Sequence, residues 1–195
     1  DNSLGVAGLF GIVWALREKK IELEHDLWLV ANVGEEGLGD LRGMRGVTER
    51  FEKDVIGYLI LEGLALGHIY HRAIGVRRYR IHARTEGGHS WSDYGRPSAV
   101  HELAVLVTKL TSMKLPREPR TTMNIGTISG GTGINVLASD AKCELDLRSE
   151  DPNVLAKIVR QVEELIHDAT RADVNLTADV IGQPPAGDIP ADHPL

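Results

Sequence analysis

VRRYRIHA (76–83) and AVHELAVLVTKL (99–110) decide the architecture. In the first, Tyr79, Ile81 and Ala83 alternate with polar residues, the period of a strand with one covered face. In the second, Ala99, Leu103, Leu106, Val107 and Leu110 recur at helical spacing. Toward the C-terminus, residues 121–129 and 141–148 read as two strands flanking GGTGIN (130–135). A second amphipathic helix follows, with Leu155, Ile158, Val162, Leu165 and Ile166 on one face. The last strand alternates Val174, Leu176, Ala178 and Val180. The order is strand, helix, strand, strand, helix, strand.

That order predicts a ferredoxin-like βαββαβ unit over 76–182. Toward the N-terminus the pattern differs. The opening DNSLGVAGLFGIVWALREKK (1–20) starts with helix-capping residue types and carries an apolar stripe at Leu9, Val13 and Leu16, so a helix is expected from near Ser3. LWLVA (27–31) and the run 55–61 are nearly all apolar, as in strands covered on both faces. With the polar, helix-type stretch between them they predict a parallel strand–helix–strand unit. GEEGLGD (34–40) and Glu62 then follow the carboxyl ends of those strands, where open α/β sheets hold ligands. The fold class expected is α/β, with 1–75 part of a parallel-sheet domain, 76–182 the ferredoxin-like unit and QPPAGDIPADHPL (183–195) a linker leaving it. Two parallel strands are too few for a covered sheet, so a piece of a longer protein is expected.

Composition narrows the classes. The 22 Lys and Arg stand against 28 Asp and Glu, a net charge of -6, which disfavours nucleic acid as the main partner. The longest apolar run, 4–16, is too short to span a bilayer, so no membrane partner is expected. The single cysteine, Cys143, excludes an intramolecular disulfide and a cysteine-rich zinc site, and points to a reducing, cytoplasmic setting. Its alternation with Ala141, Leu145 and Leu147 reads as buried filler rather than a nucleophile.

Glu35 and Glu36 put two like charges at one strand end, where they repel unless a cation or proton intervenes. A solvated acidic turn before a helix is the plainer alternative. Asp1 and Glu62 fall at other connections on the same predicted sheet edge, so separated acids could converge on cations; a loop acid or helix cap is the competing reading of Glu62. His89, in GGHS (87–90), follows a strand and two glycines that let backbone approach closely; a solvated loop histidine is the competing reading. His68 and His71 have a helical chelating spacing but lack the acid of a zinc-protease signature, and structural roles are preferred for them.

Taken in order, DNSLGVA (1–7), GEEGLGD (34–40), LEG (61–63), GGHSWSDYGRPSA (87–99) and ISGGTGINVLASDAKCELDLR (128–148) resemble the co-catalytic zinc exopeptidases and deacylases. That family includes acetylornithine deacetylase, succinyl-diaminopimelate desuccinylase, glutamate carboxypeptidase, aminoacylase and peptidase T. The resemblance implies a zinc-exopeptidase-like catalytic domain with an inserted lid and dimerisation domain. It implies two Zn2+ per subunit, Mn2+ or Co2+ being alternatives, with Asp1 bridging, Glu36 and Glu62 as further metal ligands, and Glu35 as general base. His89 is then the lid histidine that polarises the scissile carbonyl across a homodimer, and Asn135 and Arg148 help hold the substrate. The implied substrate is a small peptide or an N-acyl amino acid.

Two histidine ligands of the family's pattern have no counterpart in this stretch, since His193 stands in the linker. The stretch alone is therefore expected to bind zinc weakly or not at all and to be inactive. A non-catalytic dimerisation or binding module, or an inactive truncated piece of that family, is the alternative.

Overall fold

The computed structural model describes residues 2–62 and 67–193. The chain divides into two compact units, residues 1–70 with 191–195 and residues 71–190. The helices are α1 (Ser3–Lys19), α2 (Arg42–Phe51), α3 (Ala99–Thr111) and α4 (Pro152–Ala169). The strands are β1 (Arg72–Ala73), β2 (Gly75–Arg84), β3 (Gly88–His89), β4 (Thr121–Gly130), β5 (Val136–Leu137), β6 (Asp140–Ser149), β7 (Asn175–Gly182) and β8 (Gly187–Asp188).

In the first unit, Asn2 caps α1 by accepting the Gly5 N–H on its side chain at 2.8 Å. The two expected parallel strands do not form. Residues 27–31 and 55–61 carry no ladder among the described residues, and their apolar side chains stay open: Trp28 is 60% and Leu59 81% exposed. Apolar character favours a strand only where a neighbour can take its N–H and C=O groups, and neither run has one. Trp28 instead meets Phe51 of α2 edge-on, with ring centroids 5.0 Å apart. A cleft of about 670 Å³ opens beside them, walled by Leu9 and Ile12 of α1, Met44 and Val47 of α2, and Ile60.

The second unit has the ferredoxin-like topology. Its four long strands lie in the order β4-β6-β2-β7, all antiparallel, with α3 and α4 over one face. The covered face carries Tyr79, Ile81, Ala83, Cys143, Leu145 and Leu147, and Leu103, Leu106, Leu110, Ile158, Val162 and Ile166 descend on it from the helices. Each such aliphatic burial is worth about 1.5–3 kcal/mol before chain entropy is counted. Asp151 starts α4 by accepting the N–H groups of Asn153 and Val154 at 2.7 and 3.0 Å, with Pro152 in the first turn.

The opposite face is polar and its charges match the register. Arg78, Arg80 and Arg84 of β2 stand directly across from Asp146, Glu144 and Asp140 of β6, at 2.8, 2.8 and 3.7 Å. A slip of one residue would separate these pairs and turn the apolar set outward together. At the base of the unit, β1 pairs with β8, so the chain enters and leaves side by side. There the His71 Nδ1–H donates to the Ile189 carbonyl at 2.5 Å, and the Ile189 N–H donates back to the His71 carbonyl.

Candidate functional site

The acidic turn of the first unit is built by unusual backbone. Gly34 has φ +78°, and a side chain there would lie 2.6 Å from the Arg42 guanidine. The Gly34 carbonyl accepts the Arg42 N–H at 3.2 Å and the Glu36 carbonyl accepts the Gly39 N–H at 2.8 Å, folding 34–42 tightly. Asp40 and Leu41 then take left-handed conformations, φ 50° and 59°, which cost of order 1 kcal/mol each for non-glycine residues. Arg45 steadies this by binding the Asp40 carboxylate at 3.1 Å and its carbonyl at 3.0 Å. Glu35 and Glu36 protrude from the turn, both exposed.

Asp1 lies outside the described residues, as does Gly63 after Glu62. Their chain neighbours meet: the Asn2 side-chain amide donates to the Leu61 carbonyl at 2.7 Å, next to the exposed Glu62. Carboxylates suit zinc, manganese or a harder cation in chemistry. In number they fall short, because among the described residues no group of three or more His, Cys, Asp or Glu side chains could hold a metal. Catalytic zinc takes about three protein ligands, commonly with imidazole among them.

The second unit brings two of the candidate residues together. β3 pairs with β5, setting His89 opposite Val136, and the Ser90 N–H donates to the Asn135 carbonyl at 2.9 Å. His89 and Asn135 thus stand side by side, both exposed. Arg148 is elsewhere: it closes β6, whose other end leads from this corner. Eight residues of extended chain separate Asp140 from Arg148, about 27 Å at the usual strand rise. The fork of Arg148 is also engaged, Nε donating to Asp146 Oδ1 at 2.6 Å and Nη2 to Oδ2 at 3.3 Å. Partial burial pushes the Asp146 carboxyl up, but bonds from Arg148 and Arg78 outweigh it and hold the group below its usual range.

Around His89 the loop is ordered by a residue that the pattern reading passed over. Asp93 Oδ2 accepts the His89 main-chain N–H at 2.8 Å, and the Asp93 N–H donates to the His89 carbonyl at 3.0 Å. The His89 N–H bond holds the Asp93 carboxyl below its usual range, with Arg96 and the Ser92 hydroxyl acting in the same direction. The signal was present in HSWSD, an acid four residues after the histidine, able to close an Asp-type turn. Near this corner Trp91, Tyr94 and Ile134 are exposed at 88%, 90% and 104%.

The model of the peptidase dimerisation domain of M20 peptidases matches residues 74–174. A Peptidase M20 domain-containing protein of Schizosaccharomyces pombe is 30% identical over 178 residues, 87% of this chain and 42% of its own length, so this chain spans less than half of that relative. A tripeptidase of Staphylococcus aureus superposes with a TM-score of 0.73 at 23% identity, over 97% of this chain and 50% of that one. Aminopeptidase PepT of Bacillus cereus gives 0.70 at 23% identity over the same shares. Those two likenesses show a shared fold. The family match covers more than half of the 195 residues and coincides with the ferredoxin-like unit, so the chain belongs to the M20 peptidase family and carries that family's dimerisation domain.

Proposed function

We propose that the protein containing this chain is a metal-dependent hydrolase that cleaves an amide bond in a small peptide or an N-acyl amino acid, working as a homodimer through its lid. Residues 1–75 are read as part of the catalytic domain, 76–182 as the lid and 183–195 as the return linker. The observation that carries the proposal is the corner formed by β3 and β5, which presents an imidazole and a carboxamide together at the exposed edge of a domain whose family relatives are peptidases.

In this reading Glu35 takes a proton from the attacking water and passes it to the leaving amine. Asp1, Glu36 and Glu62 would hold the two metal ions, zinc by preference, together with nitrogen donors from outside this stretch. When bound, those ions supply Lewis-acid charge. His89 donates to the oxygen on which negative charge develops, and Asn135 adds a second donor beside it. Arg148 binds the substrate carboxylate through its planar fork, exchanging Asp146 for it.

Geometry supports the dimer. The corner that holds His89 leads into the Asp140 end of β6, and Arg148 lies about 27 Å along that strand from Asp140, a span that one small substrate does not bridge. Two subunits remove the conflict, with one contributing Arg148 and its partner His89 and Asn135. No helix among the described residues is long and apolar enough to cross a membrane.

The test is Glu35→Gln in the full-length, metal-loaded protein, assayed on dipeptides, tripeptides and N-acyl amino acids. Turnover should fall by about 10²–10⁴-fold with circular dichroism and dimer mass unchanged. Undiminished turnover would refute Glu35 as the base, and no hydrolysis of any such amide by the native protein would favour a binding module.

A further inference from the structure

The imidazole of His89 makes one intramolecular contact that fixes its chemistry. The main-chain N–H of Trp91 donates to His89 Nδ1 at 3.2 Å. A ring nitrogen that accepts a hydrogen bond carries no proton, so the proton of the neutral ring sits on Nε2. We propose that Asp93 is a positioning residue which, by closing the 89–93 turn on the main chain of His89, aims the Trp91 N–H at Nδ1 and so presents His89 to the substrate as a neutral Nε2–H donor.

Three observations build the device. Asp93 and His89 exchange bonds at both ends of the turn, carboxylate to N–H at 2.8 Å and N–H to carbonyl at 3.0 Å, so the intervening backbone has little freedom to rotate Trp91 away. The carboxylate is in turn held by the Ser92 hydroxyl at 3.4 Å and by Arg96 at 3.5 Å, and Arg96 also reaches Glu86 at 3.5 Å on the far side of the loop. Gly88 makes room: its φ is +151°, and a side chain there would stand 2.9 Å from both Cβ and Oδ2 of Asp93.

The catalytic consequence rests on the reading of His89 as a residue that acts on the substrate; the tautomer does not. The experiment uses full-length protein labelled with 15N-imidazole histidine, with the His89 resonances identified by their loss in His89→Gln. Above the ring's titration, long-range 1H–15N spectra should show His89 Nδ1 unprotonated and Nε2 protonated as a single tautomer. Asp93→Ala and Gly88→Ala should each give a tautomer mixture and lower kcat by about ten- to a hundredfold, KM moving far less. Asp93→Asn, whose carboxamide oxygen can still accept the His89 N–H, should restore both readouts.

An Nδ1–H tautomer in the native protein overturns the proposal, and that measurement needs no variant to fold. A single unchanged tautomer in Asp93→Ala overturns it as well, whatever kcat does. If the tautomer behaves as stated while His89→Ala keeps full turnover, the reading of His89 as acting on substrate falls and the positioning of its ring stands.

Discussion

The two units hold similar kinds of sequence and end in different physical states. The lid closes a core in which Ile81, Leu106, Leu110, Leu147 and Val162 lose all exposure. In the first unit the only buried residue among those described is Gly5, while Phe10, Trp14 and Trp28 stay 69%, 77% and 60% exposed. Composition does not separate them, because 27–31 and 55–61 are at least as apolar as any lid strand. What differs is whether each strand has neighbours within the stretch. The lid's four strands supply one another's partners, whereas the apolar runs of the first unit find none, and burial follows pairing.

The largest effect that would break this comparison is a matched pair of truncations read by denaturant unfolding of this 195-residue chain. Leu147→Ala should cost about 2–5 kcal/mol, since the residue is fully enclosed between sheet and helices. Trp14→Ala, although it removes a larger side chain, should change the same transition by less than about 0.5 kcal/mol. Equal costs would mean that the first unit is as tightly organised as the lid.

A smaller effect sharpens the comparison on the polar face. Asp146→Asn removes the negative charge and one of the two oxygens that accept from Arg78 and Arg148, and should cost about 1–2 kcal/mol at neutral pH. Its carboxyl is held below the usual range in the folded chain. Its contribution is therefore present above the unfolded value, about 3.9, and is lost as pH falls through the folded one. The gap between native chain and variant should accordingly close on acidification below about pH 4, measured by thermal unfolding across pH. A gap that stays constant into acid would show that shape, and not charge, is what Asp146 supplies.

The lid was legible because its information is local and redundant. Alternation at 79, 81 and 83, helical spacing at 99–110 and 155–166, and turns between them each point to the same unit, and one covered face suffices to make the period visible. The apolar runs of the first unit were read as strands and form none, since an apolar run states that a segment would be covered without stating by what. The charge register, Arg78 with Asp146, Arg80 with Glu144 and Arg84 with Asp140, was hidden because pairing across 56 to 68 residues leaves no local period. Of the candidate site, the acids of GEEG and the lid histidine stood out as residue types in turns, but the meeting of His89 with Asn135 depends on the two-residue ladder of β3 and β5, too short to leave a pattern. Asp93 was passed over for a further reason: its shortest bond is to the main chain of His89, which leaves no mark in residue type.

The smallest expected effect compares one surface ion pair from each unit. In the lid, both guanidine nitrogens of Arg171 reach Glu102 at 2.7 and 2.9 Å, tying the first turn of α3 to the turn before β7. In the first unit, Arg45 reaches Asp40 at 3.1 Å beside the acidic turn. Both arginines are about half exposed, so solvent screening limits either pair to roughly 0.2–1 kcal/mol. Their sites of action differ. Arg171→Ala should lower the unfolding midpoint of the lid slightly at low salt, and the difference should shrink toward zero at about 1 M salt, where charges are screened within about 3 Å. Arg45→Ala should leave that midpoint alone and instead speed amide hydrogen exchange across 34–42, where the left-handed pair Asp40 and Leu41 loses its support. A shift of the lid midpoint by Arg45→Ala would show that the two units unfold as one, and the contrast between them would then describe burial alone and not cooperativity.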